Sequence, residues 1–171
     1  SFWQYLLISS VIENKKFAKQ MTEAGADLII GTHPHVIQPV EWIESENGNR
    51  ALCYYSLGNY VSTQQDPETM LEAMAWVTFE VTEDTVSLVE EETGAIPMVC
   101  HYKSGPVRLE SVYFLDEYTA EKAQSHGIHA FDQSKTFTVD NLNTWAKDVL
   151  GQWLMKSHEV LGIFPVDGQR S

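Results

Sequence analysis

A chain of 171 residues, 43% apolar and 11% aromatic, is long enough to bury a core and too rich in large apolar side chains to be disordered, so a single domain over 1–171 is expected. Its 24 acidic residues outnumber 11 basic ones for a formal charge of -13, which opposes binding to phosphate backbones and excludes nucleic acid as a partner. No apolar run is long enough to span a bilayer, and Phe2 to Ile12 lacks the basic flank and small-residue cleavage site of a secretory signal, so the chain as given is expected to be soluble.

The first element is a helix from Val11 to Ala24, with apolar Ile12, Phe17, Met21 and Ala24 at loose helical spacing and Gly25 at the C-terminal cap position. Ala26 to Ile30 follows, a short β-branched run between glycines that reads as a central strand covered on both faces. Helix, glycine, buried strand and loop make an α/β unit. Val40 to Ile43 and Ala51 to Leu57 form a strand pair across the turn Glu46-Asn-Gly-Asn49, and Gly58-Asn59 leads into the polar loop Ser62 to Pro67. Ala75, Val77, Phe79 and Val81 alternate with polar neighbours, the period of a strand with one face buried, and Val86 to Glu90 returns beside it.

Ala95 to Tyr102 and Arg108 to Leu115 give two further strands, separated by Lys103-Ser-Gly-Pro106. The last third turns helical. Thr119 to His126 stops at Gly127, and Thr138 or Asp140 caps a long amphipathic helix carrying Leu142, Trp145, Ala146, Val149, Leu150, Trp153 and Leu154 on one face. Cys53 and Cys100 sit in strand-like runs without a C-x-x-C spacing, which reads as two buried thiols; pairing between them stays open.

The chemistry concentrates at His33 and His35. Two residues apart, they project their imidazoles to one side if the segment stays extended, and Pro34 biases His33 away from the helical region. Gly31 permits close backbone approach at the strand end. Loops beyond the carboxyl ends of strands are where open α/β sheets collect ligands. Two neutral imidazoles there suit a metal ion.

The run Gly25-Ala-Asp-Leu-Ile-Ile-Gly-Thr-His-Pro-His-Val-Ile-Gln-Pro-Val-Glu41, with Tyr55-Ser-Leu-Gly-Asn-Tyr-Val61 and Ile96-Pro-Met-Val-Cys-His-Tyr102, resembles the C-terminal half of the poly-γ-glutamate capsule-synthesis (CapA-type) family, which is similar to the calcineurin-like metallophosphoesterases. The resemblance covers roughly Ala18 to Tyr118. It implies the C-terminal portion of a four-layer α/β/β/α sandwich with a strand-rich middle. It also implies a site for two divalent ions (Mn, Fe or Zn), His33 and His35 each ligating one, that hydrolyses a phosphate ester.

The family's first metal-binding Asp, its Asn-His-x-x-x-Asp segment and its His-Trp-Gly segment precede the Gly-x-His-Pro-His motif and have no counterpart here, where Phe2-Trp3-Gln4 is the nearest likeness to the last. The metal set is therefore expected to be incomplete and the chain alone inactive as a phosphatase. Association with a missing N-terminal half, or self-association, is expected, with an anionic polymer or phosphate ester as ligand. A non-catalytic binding or assembly module that keeps the loop only as structure is the alternative. Family members are commonly cell-envelope proteins, which points to the envelope or its extracellular face, with the cytoplasm as alternative.

Asn59 either bonds a ligand or holds a turn, and His101 either serves the site or is a hydrogen-bonded structural histidine; these two are the possible catalytic residues. His126, His129 and His158 belong to no motif and read as surface residues. Trp145 and Trp153 read as core packing.

Overall fold

The computed structural model describes residues 15–103 and 108–162. The predicted helix start at Val11, the Phe2-Trp3-Gln4 stretch and the Ser104-Gly-Pro106 turn lie outside the described residues. The chain is mixed α/β, with several sheets and four helices among the described residues. None of those helices is long and apolar enough to cross a membrane.

Helix α1, residues 15–23, closes as the sequence predicts. Gly25 adopts φ 100°, and two bonds, Gly25 N–H to the Thr22 carbonyl and Ala26 N–H to the Met21 carbonyl, each 3.0 Å, satisfy carbonyls that the helix end would orphan. Three strands follow: β1 (Leu28–Ile30), β2 (Val40–Glu44) and β3 (Arg50–Tyr54). Their order is β1-β3-β2, with β1 parallel and β2 antiparallel to β3. The expectation of a central β1 is thus corrected: β3 holds the centre and β1 an edge among the described residues. Short β1 has apolar cover on its faces, yet Ile30 at its end is exposed.

Alternation along β3 explains how this sheet joins two cores. Ala51 and Cys53 pack with Ile29, Tyr55 and α1's Ala18. Leu52 and Tyr54 face the other way into the main core.

The second sheet is antiparallel, ordered β4 (Leu71–Trp76), β7 (Gly94–Lys103), β8 (Arg108–Phe114), with a register irregularity between His101 and Tyr102. Leu71, Ala73, Ala95 and Val99 from this sheet, Val40, Leu52 and Tyr54 from the first, and Leu142, Ala146 and Leu150 from a helix form one cluster. Burying each such large aliphatic side chain contributes about 1.5–3 kcal/mol.

Between β4 and β7 stands a separate ribbon, β5 (Phe79–Val81) paired with β6 (Val86–Leu88). The continuous half-buried strand expected from Ala75 to Val81 is broken after Trp76, and its far end is not buried: Phe79 is 43% and Val81 71% exposed. Period-two patterning reports which residues share a face, not whether anything covers that face.

Helices α2 (Ala120–Ser125), α3 (Val139–Leu150) and α4 (Ser157–Leu161) complete the chain. Thr119 caps α2 and Thr138 caps α3, each accepting a backbone N–H three residues on at 3.2 Å. Thr138, not Asp140, is therefore the cap. The predicted long helix is shorter, since Gly151 takes φ 54° and a 3-10 turn, Gly151–Trp153, carries Trp153 off the α3 axis. Trp153 is still buried, edge-on to Trp42 at 6.4 Å, as core packing requires.

Candidate functional site

Parallel β1 and β3 end side by side, and the segments leaving them carry the histidine loop and Asn59. Gly31 N–H donates to the Tyr54 carbonyl at 2.7 Å, continuing the ladder past Ile30. A side chain on Gly31 would overlap the carbonyl oxygen of Tyr55, which is the close approach the sequence suggests. Gly31→Ala is expected to cost about 3 kcal/mol, because backbone rather than a mobile side chain must yield. A urea midpoint equal to wild type would refute it.

Beyond Gly31 the loop is kinked rather than extended. His33 has φ 107° and His35 φ 62°, both in the left-handed region. Such backbone costs on the order of 1–3 kcal/mol per residue and persists only where neighbours over-determine it. Both side chains are exposed, and their ring centroids lie 5.9 Å apart. The pair converges, but through strain instead of strand geometry.

Asn59 supplies the restraint. Its Nδ2 donates to the His35 carbonyl at 2.9 Å and lies 3.3 Å from the Thr69 carbonyl. Those bonds orient the amide, so Oδ1 is the atom that meets His35 Nδ1 at 2.7 Å. An amide oxygen only accepts, hence Nδ1 carries the proton and Nε2 keeps its lone pair free. Orientation of a metal-binding imidazole by a hydrogen bond to its other nitrogen is the usual supporting arrangement. Gly58, at φ 76°, lets the chain turn against β4: a Cβ there would stand 3.1 Å from the Leu71 carbonyl and 3.3 Å from Glu72 Cα.

Glu72 lies beneath that turn, 1% exposed, with neither carboxylate oxygen hydrogen-bonded. The Cys100 thiol lies against it, but a thiol is a weak donor and burial prevails, pushing the carboxyl up to about 9. Glu72 escaped the sequence reading, although a lone acid inside Met70-Leu-Glu-Ala-Met74 is the signal that would have found it. Cys53 and Cys100 are free and buried.

His101 belongs to a different cluster. It is buried, its Nδ1 2.6 Å from the Tyr118 hydroxyl and its Nε2 3.3 Å from Glu110. Burial holds it below the usual histidine range, against the pull of Glu110. These are contacts of the kind a buried, hydrogen-bonded histidine makes.

His126 corrects the surface expectation: it is 2% exposed and its ring stands 4.8 Å from that of His101. Its Nδ1 accepts the Ile128 N–H at 2.9 Å, so its Nε2 donates to the Cys100 carbonyl at 2.8 Å. Burial pushes it down to about 4. His129 stays exposed, 2.8 Å from the Ala123 carbonyl, while His158 and Ser157 bond Asp116. Among the described residues no three His, Cys, Asp or Glu side chains cluster as a metal would need.

A model of the bacterial capsule synthesis protein PGA_cap family matches residues 11–64. The PGA biosynthesis protein CapA of Bacillus subtilis (strain 168) is 44% identical over 50 residues, 29% of this chain and 12% of that protein. The capsule biosynthesis protein CapA of Bacillus anthracis is 45% identical over 47 residues, 28% of this chain and 10% of that protein. The match thus spans about a tenth of the length of these curated relatives. No solved structure matches the chain. Residues 11–64 include β1 to β3, the histidine loop and Asn59, so the likeness to CapA-type bacterial capsule synthesis proteins falls on the part of the chain that carries the site.

Proposed function

We propose that this chain contributes the two-histidine part of a metal centre in a CapA-type, metallophosphatase-like protein that serves the synthesis or export of a capsular polyanion. The observation that carries this reading is the strained His33–His35 pair, with Asn59 fixing the tautomer of His35 so that Nε2 faces away as a donor. The family match and the names of the relatives support the capsular role.

The donor set fits part of such a centre. His33 and His35 would each hold one of two divalent ions, Mn, Fe or Zn, but two cations need anionic ligands to offset their charge. The described residues bring no carboxylate into a cluster with the histidines. When bound, such ions activate a water and stabilise phosphoryl oxygens. The chain's own part is to present two imidazoles on a loop braced by Asn59. A four-layer sandwich completed beside β1, which is an edge strand among the described residues, by further polypeptide or by a second copy, accords with exposed Phe17 and Ile30 beside a groove of about 350 Å³. The envelope or its extracellular face is the setting that fits the capsular role.

Calorimetric titration with Zn²⁺ tests the metal reading. Wild type is expected to bind, His33→Ala/His35→Ala to lose binding, and Asn59→Ala to bind about 10–100-fold more weakly. Equal titrations of wild type and the double variant would sink it. A second reading is a non-catalytic binding module that keeps the loop as structure, since among the described residues the two histidines have no third ligating side chain beside them; capsular polymer binding that survives the double variant would establish that one instead.

A further inference from the structure

We propose that the β5–β6 ribbon is a docking edge for an extended polypeptide segment in which apolar residues alternate with Lys or Arg. Cross-strand pairing sets the two faces. Phe79 stands opposite Leu88 and Val81 opposite Val86, so these four share one face, while the Glu80–Ser87 pair points to the other. On the first face Phe79 is 43%, Val81 71% and Val86 67% exposed. The root is covered, with Val77 and Leu88 packed against the main core.

An isolated two-stranded hairpin is marginal in water, yet this one is braced at both ends. Thr82 and Thr85 bond each other at the tip, hydroxyl to hydroxyl at 2.8 Å and Thr85 N–H to Thr82 Oγ1 at 3.0 Å. At the base, Thr78 N–H donates to Thr93 Oγ1 and Thr78 Oγ1 to the Glu92 carbonyl. A held ribbon with a bare apolar face is an interaction surface rather than a frayed loop. Neither strand pairs with a third among the described residues, so each has an outer edge able to accept a strand.

Charge selects the occupant. From Val77 to Thr93 the chain carries six acids (Glu80, Glu83, Asp84, Glu90, Glu91, Glu92) and no Lys, Arg or His. Anionic lipid and a second copy of a chain of charge -13 are both repelled. A strand added to the ribbon repeats its period: apolar side chains extend the Phe79–Val81 face while alternate ones fall beside Glu80. Basic residues at those alternate positions satisfy both faces at once.

A labelled short peptide of alternating Lys and Val, titrated into the chain at about 0.15 M salt and followed by fluorescence anisotropy, tests this. Its composition isomer, with all Lys before all Val, has the same charge without the alternation. The alternating peptide is expected to bind, and both the isomer and the V81S/V86S variant to lower affinity about tenfold. E80Q should weaken binding and flatten its salt dependence. Both serines replace exposed side chains, and circular dichroism checks that the variant is folded. No binding, or equal binding by both peptides or by wild type and V81S/V86S, overturns the proposal. So does a concentration-dependent mass in light scattering, or binding to phosphatidylcholine vesicles, that V81S/V86S abolishes; these would assign the ribbon to a second copy or to a membrane.

Discussion

Glu72→Gln is expected to stabilise the fold by about 3 kcal/mol near pH 7 and to leave it unchanged below pH 4.5. Buried beneath the Gly58 turn with no hydrogen bond to either oxygen, the Glu72 carboxyl keeps its proton in the fold up to about 9, against an ordinary value of 4.5. The unfolded chain surrenders that proton above 4.5, so the folded state binds more protons throughout the window between. Stability therefore falls as pH climbs from 4.5 towards 9, at a limiting slope of about 1.4 kcal/mol per pH unit. Glutamine keeps the shape and cannot ionise. Urea denaturation of both proteins near pH 4, 7 and 8.5 checks this, and midpoints that stay together above pH 7 would show that Glu72 is ionised and paired.

On the acid side the largest effect belongs to His126. Held by the Ile128 N–H on one nitrogen and the Cys100 carbonyl on the other, the neutral ring has no place for a second proton. Its folded value of about 4 lies below the ordinary 6.5. Burial is the main cause, with His101 and His129 adding repulsion. Here the unfolded chain binds more protons, so the contribution is whole above 6.5 and is lost as pH falls through 4. The loss amounts to about 3 kcal/mol. Asp116 and Asp132, both held below the usual carboxylate range, act in the same direction, so the His126 share is read by difference. His126→Gln should be less stable than wild type at pH 7 and converge with it near pH 4. Parallel stability curves from pH 7 to 4 would remove His126 as the source. With Glu72 acting above, the two residues place the stability maximum between 4.5 and 6.5.

Local features of the fold were legible where one residue type had one physical reason. Gly25 had to close a helix, Gly31 had to let two backbones meet, and Thr138 had to satisfy an orphan N–H; each does so. Tertiary cover was not legible. Val81 alternates as correctly as Leu52, but it is 71% exposed, and Gly151 ends a helix whose apolar spacing runs on to Leu154. His33 and His35 were legible as a pair, their backbone strain was not, because Pro34 favours an extended neighbour and the Asn59 bonds that oppose it come from 24 residues away. His126 was hidden for a related reason. Its partners sit on β7 and on the turn after it, and a side chain on Gly127 would collide with the Tyr102 ring at 2.6 Å, so only assembly shows that the histidine is enclosed.

The place of β3 between a parallel and an antiparallel neighbour bears on motion. Its amides are bonded from both sides and shielded by two cores, which puts them among the groups that exchange hydrogen only when the molecule opens widely. Asn59 follows within five residues of that strand's end and carries the His35 ring and carbonyl on its amide. The solvent-facing histidine loop is thereby moored to a strand paired on both sides and buried on both faces. Its exposure is that of a fixed prow rather than of a loose flap.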